Sequence, residues 1–66
     1  MKNTIKVERA RHDMTQADLA EKISVSRQTI HAIEKGKFVP STVLALKMAR
    51  FFEVQVEELF ILEEGD

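Results

Sequence analysis

Five residues in one short segment carry the most chemistry in this sequence: Arg27, Gln28, His31, Ala32 and Lys35. At about 100° per helical residue they share one side of a helix, and Ile30 and Ile33 share the other. The polar side begins with two long hydrogen-bonding side chains at the helix N-terminus. Arginine matches the N7 and O6 acceptors of guanine, and glutamine pairs bidentately with adenine. The chemistry on offer is hydrogen bonding to base edges. Taken one at a time, the same side chains describe a solvated amphipathic helix. The case for more rests on the elements that position them.

Those elements are regularly punctuated. Thr15, Ser26 and Ser41 each precede a helix-compatible run, and each suits an N-cap, where a side-chain oxygen accepts from N–H groups of the first turn. Asp18 follows Thr15 by three residues, close to a capping box. Gly36 suits the position just past a helix end, and Pro40 precedes the next cap. The spacing predicts five helices, at about 4–12, 16–23, 27–35, 42–52 and 56–60, within one domain covering 1–66. Only Ser24-Val25-Ser26 joins the second helix to the third, which forces the steep crossing of a helix-turn-helix over 16–35. Leu19, Ala20, Ile23, Val25, Ile30 and Ile33 then face one another. Gln16 opens the second helix, where N-terminal amides favour a phosphate. Phe60-Ile61-Leu62-Glu63 is apolar and β-branched enough for a short strand, and the first residues are candidates to pair with it, which would tie the termini in a two-stranded sheet.

Charge is unevenly placed. Residues 1–50 hold all ten Lys and Arg against five acids, a balance of +5, while residues 51–66 hold six acids and no Lys or Arg. The overall charge of −1 conceals this division. It fits a basic body facing a polyanion with an acidic segment turned away, and equally an ordinary surface with an acidic tail. There is no cysteine, hence no disulfide or thiolate metal site. No apolar run approaches a membrane span or a signal peptide, so the expectation is a cytoplasmic protein that does not enter a membrane.

Enzyme chemistry finds no foothold. His12 and His31 stand alone on different helices and do not make a metal site, and no cofactor is implied. No Ser/His/Asp set has a plausible cleft in so short a chain, and there is no glycine-rich phosphate loop. The four phenylalanines suit a core or an interface better than a base-stacking platform.

With these residues in hand, the chain resembles the Cro/CI-type repressor domains of the xenobiotic-response-element family over nearly its whole length. The match runs from Ile5-Lys6 through T-Q-A-D-L-A, V-S-R-Q-T-I, I-E-K-G-K, P-S, L-A-L-K-M-A and V-E-E-L-F. It looks most like compact, cytolysin-repressor-like members. The resemblance implies an all-α, five-helix, lambda-repressor-like domain that binds DNA as a dimer, with 27–35 as the recognition helix. By position, Gln16 resembles the family's phosphate contact. Arg27 and Gln28 fall where members touch bases or backbone, Ala32 at another base-facing position, Thr29 within reach of a phosphate, and Lys37 among loop residues that meet the backbone. Arg27 is open to either guanine or backbone.

The departures are specific. Ser24 sits where the family usually has a left-handed glycine, at a cost of about 1 kcal/mol. Glu8 occupies an often apolar position, which predicts looser packing of the first helix. Ala32 cannot hydrogen-bond, so base reading leans on Arg27, Gln28 and His31.

Two expectations concern assembly. Glu34 lies beside Ile30 and Ile33, where a carboxylate needs a partner, and Arg9 on the first helix is the expected one. Leu44, Ala45, Met48, Phe51 and Phe52 make a broad apolar arc on the fourth helix. Either the arc covers the third and fifth helices, or part of it meets a second subunit together with Phe52, Val54, Val56, Leu59, Phe60 and Leu62. The function expected is dimeric binding of a palindromic double-stranded operator as a repressor, without a small-molecule effector. The alternative is an antitoxin-like interaction module that binds DNA secondarily and offers its acidic segment to a partner.

Overall fold

Side-chain oxygens set where the helices start. In the computed structural model, which describes residues 1–66, the order is β1 (Lys2–Asn3), α1 (Ile5–Arg11), α2 (Gln16–Lys22), α3 (Arg27–Glu34), α4 (Thr42–Phe52), α5 (Val56–Leu59) and β2 (Phe60–Ile61). Thr15 and Asp18 form a reciprocal capping box: the Asp18 N–H donates to Thr15 Oγ1, and the Thr15 N–H donates to Asp18 Oδ2, both at 3.0 Å. Ser26 Oγ accepts from the Thr29 N–H and Ser41 Oγ from the Leu44 N–H, each at 3.1 Å. These bonds satisfy amides that would otherwise lack an intrahelical partner.

The helix ends share one device. After α1, α2, α3 and α4 the chain turns through a left-handed residue: Asp13 (φ 56°), Ser24 (φ 60°), Gly36 (φ 75°) and Glu53 (φ 57°). In each case the next N–H reaches back five residues: Met14 to Arg9 O, Val25 to Ala20 O, Lys37 to Ala32 O and Val54 to Ala49 O, at 2.9–3.0 Å. This is the Schellman arrangement, which closes off a helix and redirects the chain. Three of the four turns do it without glycine, at about 1–2 kcal/mol of strain each.

One core of eleven residues holds the helices together, among them Ile5, Leu19, Ile30, Met48 and Leu59, all fully buried. Ala20 is buried too, and its small side chain lets α2 and α3 cross closely. The termini meet in an antiparallel ladder with Lys2 opposite Ile61 and Asn3 opposite Phe60. The Thr4 N–H adds a bond to Leu59 O at 2.9 Å. The architecture is thus all-α with five helices and a small sheet joining the ends. α1 runs from Ile5 to Arg11 with Thr4 and His12 as its flanking caps, and α5 stops at Leu59, one residue short of its expected end, because Phe60 is taken into the sheet. No helix is long and apolar enough to cross a membrane.

Glu8, at the position expected to pack less well, is buried within α1, and its Oε2 accepts from Arg11 Nη1 at 3.1 Å. No buried side-chain polar atom is left without a partner.

Candidate nucleic-acid interface

α3 is fixed at both ends and along its inner side, and its outer side is open. Ser26 caps the start and the Gly36 turn closes the end. Ile30 and Ile33 anchor the helix in the core. Arg27, Gln28, His31 and Lys35 are exposed, whereas Ala32 is half-buried. Lys37 is exposed just past the turn. The Thr29 hydroxyl lies 2.9 Å from Ser26 Oγ, which engages it in the helix cap.

Beneath this surface runs a chain of charge-assisted hydrogen bonds. Arg9 Nε donates to Glu34 Oε2 at 2.7 Å and Arg9 Nη2 to Glu34 Oε1 at 3.0 Å, a bidentate pair. Arg9 Nη1 donates to Met14 O at 3.0 Å, so one guanidinium ties the α1–α2 turn to the end of α3. Gln16 Nε2 donates to Glu34 Oε1 at 3.2 Å and lies 3.5 Å from His31 Nδ1. Burial pushes the Glu34 carboxyl up, but hydrogen bonds from Arg9 and Gln16 outweigh it and hold its pKa below the ordinary carboxylate value. The Arg9 guanidinium is raised in turn, chiefly by its hydrogen bond to Glu34.

Sequence reasoning missed three features here. One is the bond from Gln16 to Glu34. Another is Asn3, whose Nδ2 donates to Ile33 O at 3.0 Å and whose Oδ1 accepts from the Ile5 N–H at 3.3 Å. Asn3 therefore serves the end of α3 and the start of α1 together. The third is Lys6, exposed on α1 near Glu34. None has a local sequence signal, since each depends on how α1 and β1 lie against α3.

The expected interface residues need correcting. Phe52 and Leu59 are buried in the chain's own core and have almost no surface to give a partner, while Phe60, 8% exposed, belongs to the core and shows only an edge in a surface groove. Val54 and Val56 are half-buried, and Leu62 is exposed. Of the α4 arc, Met48 and Phe52 are core residues, and Phe51 stacks edge-on to Phe52 at 5.3 Å. The His12 ring lies 5.2 Å from Phe52, which makes this exposed histidine a partial cover for the aromatic pair. Exposed apolar side chains also lie on α4 and on the loop before it, where Val39, Val43 and Leu46 are 69%, 66% and 53% exposed.

Comparison with known proteins gives the same picture. The helix-turn-helix family model matches residues 5–59. An HTH-type transcriptional regulator of Methanocaldococcus jannaschii is 58% identical over 66 residues, covering all of both chains. One of Bacillus subtilis is 50% identical over 64 residues, covering 97% of each. One of Archaeoglobus fulgidus is 47% identical over 66 residues, covering this whole chain and 93% of the relative. With α2 and α3 packed on each other across a short link, a capped α3 and an open polar face on that helix, the chain belongs to the Cro/CI-type helix-turn-helix family of transcriptional regulators, which bind DNA and are not enzymes.

Proposed function

We propose that the chain binds operator DNA as a homodimer, with α3 in the major groove, and represses transcription. The observation that carries this is the outer face of α3. Arg27, Gln28, His31 and Lys35 are exposed on a helix held rigid by caps at both ends and by the Arg9–Glu34 pair. Preorganised donors lose little entropy when they meet base edges. In this reading Arg27 and Gln28 reach bases from the start of α3, His31 and Lys35 follow along the groove, and Ala32 makes apolar contact. Gln16, Thr29 and Lys37 meet phosphates. A dimer seated on a promoter excludes other proteins from the same duplex, which is repression in its simplest form. The reading implies a cytoplasmic location and needs no cofactor or small-molecule effector.

The dimer is supported by an uncovered apolar strip. Leu46 and Val56 line two adjoining grooves, of about 620 and 320 Å³, to which Val39 and Val43 also contribute. Lys47 and Arg50 edge the larger groove on the α4 side, and Glu57 edges it from α5. A strip with a basic edge on one side and an acidic edge on the other is self-complementary about a twofold axis that crosses it, as an isologous interface needs. Two α3 helices about 34–36 Å apart then read half-sites one DNA turn apart. The antitoxin-like alternative relies on an available acidic segment. Two of its carboxylates, Glu63 and Asp66, instead hold the Met1 ammonium at 3.2 and 3.1 Å.

The test uses duplexes selected from a random pool, their single-base variants and two salt concentrations. Gln28→Ala is expected to lose about 1–3 kcal/mol, chiefly at one base pair per half-site. Lys37→Ala is expected to weaken all duplexes alike and to reduce the salt slope by about 1. Equal losses for Gln28→Ala on every variant would remove base reading from Gln28.

A further inference from the structure

A cleft of about 620 Å³ opens beside α3, and no hydrophobic side chain lines it. The Arg9–Glu34 pair and Gln16 contribute to its lining. That pair cancels its own charge. What remains is Lys6 from α1, with Arg27 and Lys35 from the two ends of α3. All three are exposed, and none forms an ion pair. The only carboxylate in the cleft, Glu34, has both oxygens engaged: Oε2 by Arg9 and Oε1 by Arg9 and Gln16. An anion entering the cleft thus meets three uncompensated cations and no unpartnered carboxylate.

We propose that this cleft seats a phosphate group, with Lys6 as a contact contributed by α1, and that the phosphate belongs to the DNA backbone beside the base pairs under α3. The inference rests on the reading that α3 faces DNA. It extends the interface to a helix outside the helix-turn-helix. Lysine serves here as a point charge, and Arg27 and Lys35 at the two ends of α3 add to the positive field of the cleft while their hydrogen bonds stay with the groove. Each phosphate neutralised on duplex DNA releases counterions and contributes about −0.9 to the slope of log K against log salt.

The experiment measures that slope on a selected duplex and on an unrelated duplex for the wild type, Lys6→Ala, Lys6→Arg and Lys22→Ala. Lys22 lines a different cleft and serves as the control. Lys6 is exposed and unpaired, so an unchanged melting temperature is expected and checks that the variant folds. Lys6→Ala is expected to weaken both duplexes several-fold and to lower the slope by about 1, with Lys6→Arg restoring it. An unchanged slope in Lys6→Ala overturns the proposal, as does an equal fall in Lys22→Ala, which would mark a general field effect. A second arm titrates inorganic phosphate into the free protein at fixed ionic strength. Saturable binding lost in Lys6→Ala, together with an unchanged duplex slope, assigns the cleft to free phosphate and overturns the DNA source. If the wild type binds neither duplex, the reading of α3 fails first. If it binds both and only the Lys6 effect is missing, this inference alone fails.

Discussion

Glu34 Oε1 accepts two hydrogen bonds from two helices, from Arg9 Nη2 at 3.0 Å and Gln16 Nε2 at 3.2 Å. A carboxylate on α3 therefore sets both the seat of α1 and the direction of the amide at the start of α2. The Arg9 and Glu34 side chains are only 13% and 9% exposed. Removing one partner leaves a largely buried charge, at about 3–5 kcal/mol for a buried pair. Since Arg9 keeps some solvent and its bond to Met14 O, the lower end applies. Glu34→Ala should lower stability by about 3 kcal/mol, which at about 4–8 °C per kcal/mol is a fall in Tm of more than 10 °C. Thermal melts by circular dichroism check this. An unchanged Tm would mean that the pair contributes nothing to the fold.

The same carboxylate carries acid sensitivity. Its pKa is lower in the folded chain than in the unfolded one, so its contribution is complete above the ordinary carboxylate value, about 4.3. It disappears as pH falls through the lower folded value. Asp18 acts in the same direction, held down by the Thr15 backbone N–H and then by the Thr15 side chain. Stability should be flat from neutral pH to about 5 as far as these groups decide it, and should drop below about 4. In Glu34→Gln the drop should be shallower. Parallel melting profiles for wild type and variant across that window would assign the acid sensitivity to other groups.

The left-handed turns predict opposite signs for opposite substitutions. Ser24→Gly and Glu53→Gly relieve strain at φ 60° and φ 57°, and each should raise stability by about 1 kcal/mol. Gly36→Ala should cost about as much through backbone strain. A side chain at Gly36 meets nothing within 4 Å, so crowding adds no further penalty. Chemical denaturation at constant m-value measures all three. A Ser24→Gly variant less stable than wild type would show that the greater freedom of the unfolded chain outweighs the strain.

Leu46 tests the dimer. It lines both apolar grooves, is 53% exposed and is not a core residue, so Leu46→Lys should leave the fold intact. Sedimentation equilibrium at micromolar concentration should show a dimer for wild type and a monomer for the variant. Affinity for a palindromic duplex should fall by more than tenfold. Equal masses for the two proteins would move the interface off this strip.

Legibility in the sequence followed the range of the interactions. The helix starts at Thr15, Ser26 and Ser41 and the stop at Gly36 involve neighbours in sequence, and propensity suffices to find them. The outer face of α3 followed from helical periodicity alone. Ser24 could be read as left-handed only through a family pattern, and nothing local marked Asp13 or Glu53. The two sides of α4 were the hard case. Periodicity set Met48 and Phe52 on the apolar arc and left Val43 and Leu46 off it, but only the packed chain shows that the arc is spent on the core and that the residues left off it are the exposed apolar ones. Glu8 shows the same limit: its type argues for the surface, yet a neighbouring Arg11 lets its stem pack inside.

The ladder between β1 and β2 joins the second residue of the chain to the sixty-first, so almost the whole chain must be in place before it closes. Loop closure over such a span is entropically slow, whereas α2 and α3 meet across a four-residue link, Ile23 to Ser26. The local α2–α3 pair is therefore expected to form before the terminal clasp. Met1, which flanks that clasp, and Phe60, which belongs to it, also line one of the grooves proposed to meet a second copy. Under that arrangement, subunit association and closure of the clasp are linked equilibria. At dilutions where the dimer separates, the clasp is the first part of each protomer to open, and the DNA-reading helices keep their shape longest.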